Sequence, residues 1–362
     1  MRILIVKLSA VGDVTQALAC LNALRQGLPH AHLSWLVEEA AADLLVGHPQ
    51  LDRLLVLPRK SWLKRMRRPD SWACGLAELL HGVAGLRAEA FDAILDLQAA
   101  LKASLPIRLC RAGRIIGHRG ADEMTEIFLT ERLPAFDREQ HAVWRYLDLA
   151  RHLGAATVPV RFVIPAGTEV EAAVDRLLAD HGLDQGRPLV AINPMAKWDS
   201  KLWPLSRFAA VATRLTTELG AAVVFTGGPE DQGAIASIQG QMATPAPSLA
   251  GRTSLRQLAE LYRRCRLVVS TDTGPMHMAA AVERPVVAIF GPTAPWRTGP
   301  FGPGHRVLRP EGLACAPCFK RVCRQPACME ATSVEMVVQA AAEVLFPWSP
   351  AAAKEAACGS RS

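Results

Sequence analysis

Nowhere in the 362 residues do 18 consecutive apolar side chains occur, so no segment is predicted to span a bilayer. The apolar run 3–6 is closed by Lys7 and is too short for the core of an export signal, so a cytoplasmic location is expected. Two nucleotide signatures are missing. No G-x-G-x-x-G follows the first strand candidate and no G-x-x-x-x-G-K-[ST] occurs, which removes the main support for dinucleotide and P-loop readings. No D-x-D-type carboxylate pair stands at a suitable strand end. A bound phosphate would therefore rest on helix N-termini, polar turns and basic side chains. The nine cysteines are odd in number, which argues against a disulfide framework in a chain with no export signal. Charged residues are only 21% and hydrophobic ones 50%, which excludes a disordered chain.

What is present is a regular alternation. Short apolar runs at 2–7, 32–37, 53–57 and 93–97, then at 189–193, 222–226, 267–270 and 286–290, read as strands. Helical patterns separate them, among them 15–26, 207–219 and 254–263. Near-continuous apolar strands alternating with helices predict α/β architecture with parallel, doubly wound sheets. The pattern restarts near Leu189, after a polar helical stretch and the turn-rich GLDQGRP. The chain is long enough for two cores. We therefore expect Rossmann-like domains over 1–165 and 166–332, with a helix over 333–346 that can pack across both and a frayed tail over 347–362. Ligands of such sheets bind at the carboxyl ends of strands, and the expected site is the cleft between the domains.

The formal charge of +7 is partly concentrated in PRKSWLKRMRRP at 58–69, which has six basic residues and no acid. Such a segment can be a solvated basic loop. It can also grip an anionic ligand or membrane surface, with Trp62, Leu63 and Met66 dipping in. No nucleic-acid-binding motif accompanies it. The thiols of Cys315, Cys318, Cys323 and Cys328 fall in CAPCFKRVCRQPAC. This spacing matches no common structural-zinc pattern, so the main expectation is reduced thiols in a packed loop, with a metal as the lesser alternative.

Four strand ends carry polar turns. LVVSTDTGPMHMAAA ends a strand at Ser270 and starts a helix near Pro275, exposing amides around Thr273 and Gly274 at a positive helix end, with His277 in the first turn. IFGPTAP at 289–295 is a second such turn. AINPMAKWDSKLWP places Lys197 and Lys201 beside Trp198 and Trp203. VVFTGGPEDQ sets Glu230 and Asp231 where they can cap a helix or accept from sugar hydroxyls. Each turn can equally be an ordinary helix cap or a surface loop. At the N-terminus, KLSAVGDVTQ ends the first strand in a Gly12-Asp13 turn, and Asp13 is either a helix cap or a base.

Taken together, MRILIVKLSAVGDV, DLQAALKAS, EQHAVWRY, KLWP, TGGPED, STDTGPMHMAAA and FGPT, in this order and spacing, resemble the ADP-heptose–lipopolysaccharide heptosyltransferases, glycosyltransferase family 9. The resemblance runs from residue 1 to about 346. WLVEEAAADLLVGHPQLDRLL looks most like heptosyltransferase I, the branch that adds the first heptose to Kdo.

The resemblance implies a GT-B fold with the acceptor held by the N-terminal domain and ADP-heptose by the C-terminal one. It also implies inverting, metal-independent transfer, with no cofactor required, at the cytoplasmic face of the inner membrane. It assigns Asp13 as general base and Lys201, Glu230, Asp272, Thr273, Gly274 and His277 to the donor. Gly12, Arg59, Lys60, Lys64 and Lys102 fall where an anionic Kdo–lipid A acceptor would approach. NPMAKWDS is poorer in glycine than the family's loop, which leaves the role of Lys197 open. A second or branch heptosyltransferase and a nucleotide-sugar epimerase of the same fold are the alternatives.

Overall fold

The structure, a computed structural model, describes residues 1–68, 70–120, 123–183 and 186–346. Pro69, the last residue of the basic run, and the tail 347–362 lie outside the described residues. Contacts divide the chain into two units. The first is Met1–Gly167 with Ser254–Arg256 and Trp296–Phe301, and the second holds the described remainder from Thr168.

The first unit is built on six parallel strands: β1 (Arg2–Val6), β2 (His32–Glu38), β3 (Arg53–Leu57), β4 (Ala90–Asp96), β5 (Arg111–His118) and β6 (Glu131–Leu133). Their order is β3-β2-β1-β4-β5-β6. Chain direction across the sheet reverses between β1 and β4, and the carboxyl ends of these two strands are the expected ligand position. Ile3↔Ala93 and Val6↔Asp96 set their register.

Helices cover both faces. Val11–Gly27, rich in Ala and Leu, has almost no exposed side and packs on Ala142–His152. At Gly27 the Cα of Ala155 comes so near that a Cβ would sit 2.7 Å from it. The other face is covered by Arg59–Met66, Trp72–Ala88 and Leu101–Leu109. Their inward side chains Trp62, Leu86, Ala103 and Ile107 share one core with Leu4, Val6, Ile94 and Ile115. The EQHAVWRY stretch holds the returning segment Trp296–Phe301. Trp296 Nε1 donates to Glu139, His141 Nε2 donates to Gly299 O at 3.1 Å, and Phe301 packs edge-on to Trp144.

The second unit has five parallel strands: β7 (Leu189–Asn193), β8 (Ala222–Phe225), β9 (Leu267–Thr271), β10 (Val286–Ile289) and β11 (Arg306–Leu308). Their order is β11-β10-β9-β7-β8, so the switch lies between β7 and β9. β7–β10 are buried on both faces, as their unbroken apolar runs require. The last helix, Val334–Leu345, lies within this unit. Val337, Val338, Ala341 and Leu345 complete its core against helix Leu205–Thr217 and strands β9–β11.

Three strands, β5, β6 and β11, were not expected from the sequence. The basic run is not a loop: residues 59–66 form a helix. Trp62 does not reach outward. It is 7% exposed, fills the core beneath Trp72–Ala88, and its ring occupies the space that a side chain at position 82 would need.

Candidate active site

At the β1–β4 switch of the first unit, the chain after Val6 folds into a polar floor. Lys7 is buried, its ammonium donating to Leu97 O at 3.1 Å and lying 4.9 Å from the Tyr146 ring. Gln98 Oε1 accepts the N–H groups of Leu8 (3.0 Å) and Ser9 (3.2 Å). Asp96 accepts from the amides of Gln98 and Ala99, and burial pushes its carboxyl up from the ordinary value against those bonds.

Asp13 sits half-buried in the first turn of Val11–Gly27. Its Oδ2 accepts the N–H of Ala10 at 3.1 Å, so it does cap the helix, from the third helical position back to the residue before the first. Lys102 donates to Ser9 Oγ at 2.5 Å. Its ammonium pKa is held down by burial, with the cations of Lys7 and Arg59 pushing the same way and Glu38 and Asp13 opposing. The structure thus brings Asp13, Lys102 and Arg59 into one electrostatic cluster. Glu38, at the end of β2, joins it by accepting from Arg59 Nε at 2.8 Å, and only 3% of its side chain is exposed. Sequence reasoning missed Glu38 and Ser9, although both stand where the first strands end.

The expected acceptor cations separate. Arg59 is committed to Glu38, and Arg65 to Glu78. Lys60 and Lys64 point elsewhere, lining with Leu63, Arg67 and Arg68 an open cleft of about 430 Å³.

At the β7–β9 switch of the second unit, Lys201 ends the turn Asp199–Lys201. Its ammonium lies 2.6 Å from Asp272 Oδ2 and 4.5 Å from the Trp198 ring. Asp272, just after β9, is 5% exposed and also accepts the hydroxyl of Thr293 at 2.5 Å. Thr273 precedes helix Gly274–Ala281, with Pro275 in its first turn, and His277 is half-buried there. Glu230 is exposed at the end of β8, in the turn Pro229–Asp231. Asp231 Oδ2 accepts the Gly228 amide at 2.8 Å, and burial raises the Asp231 carboxyl. Lys197 is exposed.

The cysteine loop braces this site. Among the described residues no three His, Cys, Asp or Glu side chains are grouped to hold a metal ion. Instead the amides of Cys318 and Phe319 both donate to Pro292 O at 2.9 Å, fixing the turn that carries Thr293. Ser200 Oγ donates to Lys320 O at 2.6 Å, and Ser200 N to Arg321 O at 3.2 Å, fixing the turn that carries Lys201. Gly291 admits Cys328 and Met329, whose sulfur atoms fill the space of any side chain there. Burial raises the Cys328 thiol, and the neighbouring Cys318 and Cys315 push it the same way. The missed contributors are Thr293, Ser200 and Arg321, whose guanidinium lies 5.5 Å from Trp198. The signals for Thr293 were the polar turn ending β10 and the FGPT stretch at 290–293 that contains it.

Residues 82–329 match the model of glycosyltransferase family 9 (heptosyltransferase). The chain belongs to that family. Among curated relatives it is 28% identical to lipopolysaccharide heptosyltransferase 1 of Pseudomonas aeruginosa, over 89% of this chain and 87% of the relative. It is also 28% identical to lipopolysaccharide heptosyltransferase 2 of Salmonella typhimurium, over 85% and 88%. Solved structures share the fold. A family 9 glycosyltransferase from Veillonella parvula gives a TM-score of 0.79 at 24% identity, covering 96% of this chain and 97% of that one. The Escherichia coli heptosyltransferase WaaC with ADP gives 0.75 at 24% identity, covering 95% and 100%. The chain is a GT-B glycosyltransferase of the heptosyltransferase family.

Proposed function

We propose that the protein transfers heptose from ADP-heptose to the Kdo of a lipid-linked lipopolysaccharide inner core. Transfer proceeds with inversion and without a metal ion, at the cytoplasmic surface of the inner membrane. The observation that carries this reading is the Lys201–Asp272–Thr293 cluster at the switch of the second sheet, in a chain of the heptosyltransferase family. A neighbouring fold solved with ADP and relatives named lipopolysaccharide heptosyltransferases 1 and 2 support the substrate class.

In this reading the departing ADP gathers negative charge in an oxocarbenium-like transition state. Lys201 and the start of helix Gly274–Ala281, with Thr273, Gly274 and His277, offset that charge, and electrostatic stabilisation of this kind is commonly the largest catalytic term. Glu230 binds the nucleoside. Asp13 takes the proton of the attacking Kdo hydroxyl. Lys102 and the surface cations Lys60 and Lys64 meet the anionic acceptor, whereas Gly12, expected on the acceptor side, lies buried beside Asp13 in the first turn of helix Val11–Gly27.

A second reading places the heptose on an already heptosylated core, because a type 2 relative is as similar as a type 1 relative. Incubating the purified protein with ADP-heptose and either Kdo2-lipid A or heptosyl-Kdo2-lipid A separates the two. One added heptose on the first acceptor is expected. Addition only to the second selects the other reading, and addition to neither overturns both.

A further inference from the structure

The three helices that share one side of the first sheet leave an unusual surface on their outer side. Helix Trp72–Ala88 presents Trp72, Leu76 and Leu80, spaced four residues apart on one helical face and 55%, 39% and 59% exposed. The adjoining helix Leu101–Leu109 presents Leu101 and Leu105, and the next turn, Thr125–Phe128, presents Ile127. The inward sides of these helices share one core against the sheet, so their outward sides look the same way. Eight of the eighteen large apolar side chains exposed among the described residues lie between 63 and 127. Exposed apolar side chains scattered singly need no explanation, whereas a concentration of this kind marks an interaction surface.

The charge beside it selects the partner. Helix Arg59–Met66 packs along Trp72–Ala88, with Gly75 against Arg65 and Met66 and with Gly82 over Trp62. It sets Lys60, Lys64, Arg67 and Arg68 around a cleft that also contains Leu63. Two of the six cations of the run are already matched by Glu38 and Glu78, and these four line the cleft. A cationic rim along an apolar helix face fits the headgroup boundary of an anionic bilayer, where leucine and tryptophan enter the acyl edge and lysine and arginine meet lipid phosphates. No helix among the described residues is long and apolar enough to cross a membrane, so such a contact would be interfacial.

We propose that Trp72, Leu76, Leu80, Leu101 and Leu105 form a shallow insertion face that seats the protein on an anionic lipid surface. Lys60, Lys64, Arg67 and Arg68 form its electrostatic rim. The inference rests on the glycolipid-acceptor reading for its purpose but not for its test. Seating here would hold the first unit at the level of a lipid-anchored acceptor's headgroup.

The test uses the full chain and vesicles of phosphatidylethanolamine with phosphatidylglycerol, compared with phosphatidylcholine alone. Leu76→Gln/Leu80→Gln should reduce partition onto the anionic vesicles at least tenfold at both low and high salt. The quadruple Ser variant of the rim should lose binding mainly at low salt. Fluorescence quenching by brominated lipid should fall in Trp72→Phe. Unchanged thermal midpoints establish that the variants fold, as expected for exposed positions. Partition of Leu76→Gln/Leu80→Gln within twofold of wild type overturns the proposal. So does a change of oligomeric state in that variant with vesicle binding intact, which would make the face a contact between copies. Turnover on a delipidated Kdo acceptor reports separately on the catalytic reading: vesicle binding without any heptose transfer would sink that reading and leave the insertion face standing.

Discussion

Lys201 Nζ lies 2.6 Å from Asp272 Oδ2, and the hydroxyl of Thr293 donates to the same oxygen. Both ionic side chains are largely buried, 15% and 5% exposed. The lysine is thus held by one carboxylate, and in the proposed function an incoming diphosphate competes with that carboxylate for it. A structural lysine and a donor-binding lysine make different predictions here.

Lys201→Ala leaves Asp272 as an unpaired buried carboxylate and should cost on the order of 3 kcal/mol of stability, besides weakening ADP binding. Adding Asp272→Asn removes the unpaired charge and should restore most of the lost thermal midpoint. ADP affinity, measured by calorimetry, should stay low in the double variant. Recovery of both together would make the pair a purely structural ion pair.

The rim cations should act on the acceptor side alone. Replacing Lys60, Lys64, Arg67 and Arg68 by Ser should raise KM for Kdo2-lipid A while KM for ADP-heptose stays within about twofold. At about 1 kcal/mol per cation near an anionic surface, and allowing for screening, the rise should be on the order of 10²-fold. Equal loss of donor affinity would place the run in the donor site or make it structural.

Dialysis against EDTA should leave heptosyl transfer unchanged, since Lys201 and the turn at Thr273–Gly274 are assigned the charge that a metal ion would otherwise offset. Loss of activity reversed by magnesium would overturn the metal-independent mechanism.

Much of this organisation was legible in residue pattern. Strands 53–57 and 189–193 were expected with their observed ends, because both carry a continuous apolar run, although only 189–193 is buried throughout and the edge strand 53–57 buries Leu57 alone. β5 was not, because RAGRIIGH begins with exposed arginine and has apolar side chains enough only for its second half. β6 and β11 are three-residue edge strands with no pattern long enough to read. Asp272 and Lys201 were named from their turns, but their pairing depends on β7 and β9 being neighbours, which no local pattern states. Thr293 reaches Asp272 across 21 residues only because β10 lies beside β9. The helical form of the basic run was missed because its apolar content is low. Trp62 still anchors it, by filling the core rather than by facing a membrane.

The edge strand β6 supplies a pH prediction. Glu131 accepts from Arg114 and from His152, and these partners, Arg114 foremost, hold its carboxyl near 2, well below the ordinary 4.5. A folded-state value below the unfolded one stabilises fully above 4.5, and that contribution is lost as pH falls toward 2. The thermal midpoint of Glu131→Gln should therefore fall below wild type at neutral pH, and the gap should close on acidification through this window. A gap that does not change with pH would show that the charge contributes nothing, as for many exposed ion pairs.

Asp13 carries the sharpest test. Its Oδ2 accepts the Ala10 amide at 3.1 Å, so the capping role is real and the question is whether it is the whole role. An asparagine at this position keeps an oxygen acceptor for that amide and caps comparably, so Asp13→Asn should change stability by less than about 0.5 kcal/mol. The amide cannot take a proton from a sugar hydroxyl. If Asp13 is the base, kcat should fall on the order of 10²–10⁴-fold with ADP affinity unchanged. The nearby Lys102, whose ammonium feels the Asp13 charge, should matter differently. Lys102→Met should raise the acceptor KM more than it lowers kcat, as loss of a binding cation does. An Asp13→Asn enzyme that keeps most of its turnover would reduce Asp13 to its hydrogen bond with Ala10. The base would then have to be sought among the other carboxylates of the same cluster, with Glu38 the first to test because its charge, like that of Asp13, acts on Lys102.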